Sequence, residues 1–299
     1  MRQRTIAKSV EIVGIGLHKG VPVKMRLEPL DSNMGIIFYR SDEGITIPLA
    51  IENVVDTKMA TVIGKDGVVV STIEHLLSAL YAYGIDNIRV VLDNDEVPVL
   101  DGSSSGYCML IDEAGIKELE ASKKAIKIKK EVEVTTSEGK RVALKPSNHI
   151  IYDFSIDFDH PVIGEQKFHF DYSIDEYKES ISKARTFGFL HEVQYLRSIG
   201  LALGGSMENA IVLDNTKVLN PEGLRYDDEF VRHKILDAVG DMALLGYTLV
   251  GEYDAHAGSH YLNHLLTKKL YENEENYEII DLEEADEESK VFQTAYARA

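Results

Sequence analysis

The chain has 299 residues, with 32 Lys and Arg against 50 Asp and Glu and a formal net charge of −18. That balance excludes a phosphate-backbone binder, which needs a basic face, but not a small anionic ligand held by one lysine or a helix N-terminus. Cys108 is the single cysteine, which excludes an internal disulfide and a cysteine-built metal site.

Residues 1 to about 50 alternate as strands in "SVEIVGIGL", "VPVKMRLEP", "MGIIFYR" and "GITIPL", with Pro22, Pro29 and Pro48 at their ends. The basic N-terminal start is interrupted by Glu11 before any signal-peptide core forms. "MATVIGKDGVVVST" reads as a hairpin turning at "GKDG". "STIEHLLSALYAYG" follows as a helix. Ser71 or Thr72 is its expected cap, Glu74 lies in its first turn, and Ile73, Leu76, Leu77 and Leu80 give the 3.6 period. Gly84 ends it, "NIRVVLDN" is a strand, and "VPVLDGSSSGYCMLIDEAGI" reads as strand, tight turn and helix.

The charged, patternless "KELEASKKA" marks a domain boundary, giving an N-terminal domain at 1–121 and a C-terminal domain at 122–272. A second strand series runs through "AIKIKKEVEVTT", "KRVALKP", "HIIYDFSIDFD" and "QKFHFDYS". "RTFGFLHEVQYLRSIG" and "ENAIVLDN" precede a helix containing "RHKILDAVGD", which leads through Gly246 into the strand "YTLVGEYDAHAG". Ten acidic residues and one basic residue lie between Glu272 and Lys290, so 273–299 is expected to be a solvated acidic tail. Strands bunched before helices, twice over, predict an α+β fold with a weak internal repeat. No apolar run reaches the roughly 18 residues of a membrane span, and a cytoplasmic setting fits.

"RHKILDAVGD" places His233, Asp237 and Asp241 four residues apart, on one helix face. Alone, such a stripe reads better as a surface ion pair than as a grip on a metal. Two features favour the metal. The helix is apolar, so its polar stripe needs partners, and the other half supplies Glu74 and His75 side by side. Zinc in hydrolases takes three nitrogen and oxygen ligands and keeps one position open, a count that His75, His233 and Asp237 would fill. Glu74, about 100° around the helix from His75, would accept a proton from water acidified by the ion. Acyl transfer also needs a proton for the leaving amine and a donor for the oxyanion. "HAGSHYLNH" offers His256, His260 and His264, and "RTFGF" offers the Thr186 hydroxyl, although each alone reads as an ordinary loop residue.

A rival chemistry is present in "GSSSG", which matches G-x-S-x-G with Ser104 in the nucleophile position. The antiparallel pattern before it does not supply the parallel sheet of a serine hydrolase, and a Gly/Ser turn is the simpler assignment. "GIGLHKG" departs from the dinucleotide fingerprint and has no βαβ unit around it.

Together "STIEHLLSALYAYGIDNI", "VPVLDGSS", "KARTFGF", "LALGGSMENAIVL", "LNPEGLRYDDEFVRHKILDAVGDMALLG" and "GSHYLN" resemble the UDP-3-O-acyl-N-acetylglucosamine deacetylases, zinc amidases of lipid A biosynthesis, from about Arg4 to about Leu270. The resemblance implies two similar α+β domains, each a mainly antiparallel sheet with two helices, packed helix layer to helix layer with the site between them. It implies one catalytic Zn2+ on His75, His233 and Asp237, and Glu74 as general base. His260 would stabilise the oxyanion or protonate the amine, oriented by Asp241, while Thr186 would polarise the acetyl carbonyl. Lys234 and Phe187 would contact substrate, Phe158 in "DFDHP" would stack on uracil, and Leu190, Val193, Leu196, Ile199 and Leu203 would line an acyl-chain passage, although core packing explains those apolar residues equally well. The implied partner is a small UDP-linked acylated glucosamine, with no nucleic acid, and the chain would act as a monomer. Two positions depart from the family pattern: Gly258-Ser259-His260 replaces a Ser-Gly-His, and Ala257 stands where a lysine is often found.

Overall fold

The structure, a computed structural model, describes residues 1–282 and 295–296. The first half begins with β1 (Arg2–Ile6), β2 (Val10–Ile15), β3 (Pro22–Pro29), β4 (Ile36–Arg40) and β5 (Ile45–Pro48). In β3 the side chains of Val23, Met25 and Leu27 are buried while those of Lys24 and Arg26 face solvent, the period of two that fixes a half-buried strand. A small sheet of β6 (Val54–Asp56), β7 (Val62–Lys65) and β8 (Val68–Val70) follows. Its last turn is Asp66-Gly67, both at positive φ (53° and 82°), as the "GKDG" hairpin requires. Then come α1 (Glu74–Ala82), all of whose residues are buried, β9 (Ile88–Leu92), α2 (Ser105–Ala114) and β10 (Ile116–Ser122), which pairs back onto β1. The predicted Ser/Thr cap of α1 is not made. Thr72 sits at φ 58° and its hydroxyl donates to Glu96 at 2.9 Å, so the N-cap position falls to Ile73.

The second half contains β11 (Lys124–Ile128), β12 (Val132–Thr135), β13 (Arg141–Lys145), β14 (Ile150–Phe158), β15 (Gly164–Asp171), the single turn α3 (Ile174–Glu176), β16 (Phe187–Phe189), α4 (Leu190–Ser198), β17 (Ile211–Leu213), α5 (Glu229–Met242), β18 (Thr248–His256), α6 (His260–Tyr271) and β19 (Tyr277–Asp281). The weak repeat in the sequence is explicit in the pairing. The first sheet has the order β2-β3-β9-β4-β5, with β9 antiparallel to β3 and parallel to β4. The second contains β12-β13-β18-β14-β15 with the same strand senses. In each, the central strand is the one that follows a buried helix, α1 or α5. The scaffold is therefore α+β with mostly antiparallel pairing.

The start of the acidic segment differs from the expected solvated tail. Tyr277–Asp281 pairs antiparallel with β11 from Ile128 to Lys124. Lys129 meets Glu278 and Lys130 meets Glu275, which neutralises part of the charge, and Leu282 is buried. Residues 283–294 and 297–299 of the expected tail lie outside the described residues.

α1 and α5 meet at Gly240. A Cβ there would lie 2.1 Å from the Glu74 carbonyl oxygen. Glycine in a helix costs about 1 kcal/mol, and here it lets the two backbones touch. No described helix is long and apolar enough to cross a membrane.

Candidate metal centre

This helix contact decides which side chains meet. His75 projects from α1, and His233 and Asp237 from adjacent turns of α5; all three are buried. His75 Nε2 lies 3.5 Å and His233 Nε2 3.3 Å from Asp237 Oδ1. His233 Nδ1 is 3.0 Å from the Ala184 carbonyl, an acceptor, so it carries the proton and Nε2 presents a lone pair. A lone pair and a carboxylate oxygen thus face each other across 3.3 Å, which is repulsive unless a cation lies between them. Asp237 Oδ1 is buried and has no hydrogen-bond partner among the described residues. Tetrahedral bonds of about 2.0–2.1 Å place ligand atoms about 3.3–3.4 Å apart, so the donor set fits a small divalent ion. Burial pushes His233 down to about 4, keeping it neutral. Burial raises Asp237, but His233 and Lys234 outweigh it and hold the carboxyl well below its ordinary range. Lys234 Nζ binds the other oxygen, Oδ2, at 2.9 Å, leaving Oδ1 to the imidazoles.

Glu74 is buried beside this group, and burial raises its carboxyl above the ordinary value. His260, the first residue of α6, stands 3.5 Å from Glu74 Oε1 through Nε2 and 2.7 Å from Asp241 Oδ2 through Nδ1. Burial alone would lower His260, but Asp241 and Glu74 outweigh it and raise the imidazole to about 10, so it is a cation at neutral pH. Asp241 therefore stands apart from the donor set and holds His260. A buried carboxyl and a protonated imidazole consequently face one cavity, of about 250 Å³.

Thr186, Phe187 and Lys234 line that cavity. Phe158 instead packs on Phe187 and Phe189, with ring centroids 5.9 and 6.1 Å away. Leu190, Val193 and Leu203 are also outside the cavity wall. α4 buries none of its residues, so core packing does not explain its apolar side chains. Past α4, the Leu203 and Gly204 amides donate to the carbonyls of His18 and Leu17, at 2.9 and 3.0 Å.

The serine alternative fails on geometry. Ser104 is fully buried and its hydroxyl donates to the His75 backbone carbonyl at 3.0 Å, with no imidazole hydrogen-bonded to it among the described residues. Of the site residues absent from the sequence-based expectations, among them Leu17, Thr57, Lys58 and Met59 of the cavity wall, two have contacts that bear on the chemistry. His18 lines the cavity with both ring nitrogens shielded from solvent and unpartnered among the described residues. Its loop is held by buried Glu96, which accepts from the His18 and Lys19 amides. It lies in "GIGLHKG", which the sequence pattern excluded as a dinucleotide fingerprint and gave no other role. The second is Thr61, whose amide donates to Glu74 Oε2 at 3.1 Å and whose hydroxyl donates to Asp241 Oδ1 at 2.6 Å.

Two imidazoles and a carboxylate converging on one point, with a buried carboxylate and a cationic imidazole beside them, are the equipment of a metal-dependent hydrolase. Residues 3–272 match the family model described as LpxC: UDP-3-O-acyl N-acetylglycosamine deacetylase, and the chain belongs to that family. It is similar to the UDP-3-O-acyl-N-acetylglucosamine deacetylase of Aliarcobacter butzleri, at 83% identity over 298 residues covering 100% of this chain and 99% of that protein. The proteins of the same name from Nitratiruptor sp. (63% over 298 residues, 100% of both chains) and Helicobacter pylori strain 26695 (59% over 280 residues, 94% of this chain and 95% of that protein) are further relatives.

Proposed function

We propose that the protein removes the N-acetyl group from a UDP-linked, 3-O-acylated N-acetylglucosamine, giving the free amine and acetate, as a step of lipid A biosynthesis. The observation that carries this assignment is the convergence of His75, His233 and Asp237 beside Glu74 and His260, in a chain whose relatives are named for that deacetylation. One Zn2+ held by His75, His233 and Asp237 would supply Lewis acidity to the amide carbonyl and to the attacking water. Glu74 takes the proton from that water; its raised affinity for a proton suits the role. His260, held protonated by Asp241, stabilises the oxyanion and gives its proton to the departing amine. Thr186 donates to the acetyl oxygen, and Lys234 and Phe187 border the sugar, since all three line the cavity.

Phe158, packed outside the cavity wall against Phe187 and Phe189, is assigned to the uracil ring, and Leu190, Val193 and Leu203 to the acyl chain. The unburied α4 supports the latter, because its apolar side chains lack core partners. Domains at 1–121 and 122–272 form a sandwich whose helix layers meet, supported by the repeated strand order and the Gly240 contact. A monomer in the cytoplasm is in keeping with a site built from one chain and with a lone, buried cysteine.

Metal analysis of the purified protein beside His75→Ala and Asp237→Ala tests the assignment. Both variants are expected to lose metal, and equal metal in all three preparations refutes the ligand set. Glu74→Gln should keep the metal and lose about 10²–10⁴-fold in kcat.

A further inference from the structure

Four contacts close a ring around the proton-transfer groups. Glu74 Oε1 faces His260 Nε2 at 3.5 Å. His260 Nδ1 meets Asp241 Oδ2 at 2.7 Å. Asp241 Oδ1 accepts from the Thr61 hydroxyl at 2.6 Å, and the Thr61 amide returns to Glu74 Oε2 at 3.1 Å. Among the four residues only Thr61 has no ionisable side chain. It is 1% exposed and is absent from the cavity wall that Glu74 and His260 share.

The ring divides the labour of each carboxylate. Glu74 keeps Oε2 tied to backbone and turns Oε1 to the cavity side, where His260 stands. Asp241 gives Oδ2 to His260 and to Asn263 Nδ2, at 2.8 Å. Its Oδ1 goes to Thr61, from a segment 180 positions away in the sequence. Without the Thr61 hydroxyl, Oδ1 would be buried with a vacant acceptor site. A carboxylate in that state rotates toward whatever donors remain, and His260 follows it. Proton transfer between positioned groups is sensitive at about the 1 Å level, so a small rotation is enough to matter.

We propose that Thr61 is a positioning residue for the deacetylation. It fixes the separation and aim of the base Glu74 and the acid His260 by holding both Glu74 and Asp241. The proposal rests on the roles assigned to Glu74 and His260 above. Thr61 lies outside the cavity wall and its amide and hydroxyl bond Glu74 and Asp241 rather than His75, His233 or Asp237, so its loss should fall on kcat alone.

The test uses the full-length, metal-loaded protein and the variants Thr61→Val, which keeps shape and amide but lacks the hydroxyl, and Thr61→Ser, which restores it. Thr61→Val is expected to lose about 10- to 100-fold in kcat, the effect of one hydrogen bond to a buried charged group. KM should stay within about twofold and metal content should be unchanged, because no substrate contact or ligand is altered. Thr61→Ser should recover to within about threefold of the parent. If Thr61→Val folds poorly by thermal melt, Thr61→Ala supplies the same comparison. Parental kcat in the hydroxyl-free variants, equal loss in the serine variant, or a loss matched by missing metal would overturn the proposal. Glu74→Gln is assayed in parallel. Full turnover there refutes the catalytic assignment itself, whereas an inactive Glu74→Gln beside a fully active Thr61→Val removes only the role of Thr61.

Discussion

The substitution Gly240→Ala puts the helix crossing under direct strain. The new Cβ would start 2.1 Å from the Glu74 carbonyl oxygen and 2.8 Å from its carbon, both backbone atoms that no side-chain rotation can move. Ordinary contact begins near 3.4 Å, so α1 and α5 must part by about 1.3 Å, or bend by as much. Overpacking of this kind costs about 1–3 kcal/mol, and the gain in helix propensity returns at most about 1 kcal/mol. The functional loss should be larger than the loss in stability, because the crossing separates Glu74 and His75 from His233, Asp237 and Asp241. A displacement of about 1 Å in such a constellation costs on the order of 10²-fold in rate. Steady-state kinetics, metal analysis and thermal melting of Gly240→Ala check this. The expected result is a fall in kcat of about 10²-fold, reduced metal affinity and a lower Tm. Parental kcat and Tm would refute the claim that backbone contact at Gly240 sets the site.

Ser104→Ala should leave kcat unchanged and cost about 1 kcal/mol through the lost bond to the His75 carbonyl; a large fall in kcat at full metal content would restore the serine mechanism. Asp254→Asn should give a pH-dependent loss of stability. Burial raises the Asp254 carboxyl, but Lys145, at 2.5 Å, and Arg141 outweigh it and hold the group below its ordinary value. A depressed folded pKa stabilises above the unfolded value of about 3.9 and ceases to do so as pH falls through the lower folded value. Melts at pH 7 should therefore show a deficit of about 1 kcal/mol against the parent, shrinking below about pH 4; a constant deficit contradicts the linkage.

α1 and α5 were readable because Leu76, Leu77, Leu80, Ile235, Leu236 and Val239 follow the helical period and are buried. The same period set His233 and Asp237 on one face. Thr61 and His18 were opaque because loop residues have no period. Their placement depends on partners far along the chain, Asp241 for Thr61 and Glu96 for His18. β19 was masked by composition. Its acidic residues suggested solvation, while "YEII" carried the strand signal that pairing with β11 satisfied. The α1 cap was misassigned because Thr72 takes a left-handed backbone conformation and spends its hydroxyl on Glu96.

The repeated strand order also bears on synthesis. β13 and β14 are neighbours of β18, and β4 and β3 of β9, so each sheet gains its middle strand only after the strands on either side have been made. A nascent chain ending before Thr248 has α5 complete but lacks the strand that joins β13 to β14. The helix that carries His233 and Asp237 then has no finished sheet to lie on. The second sheet thus gains its middle strand only once Thr248–His256 has been made, and α6, which carries His260, and β19 follow it.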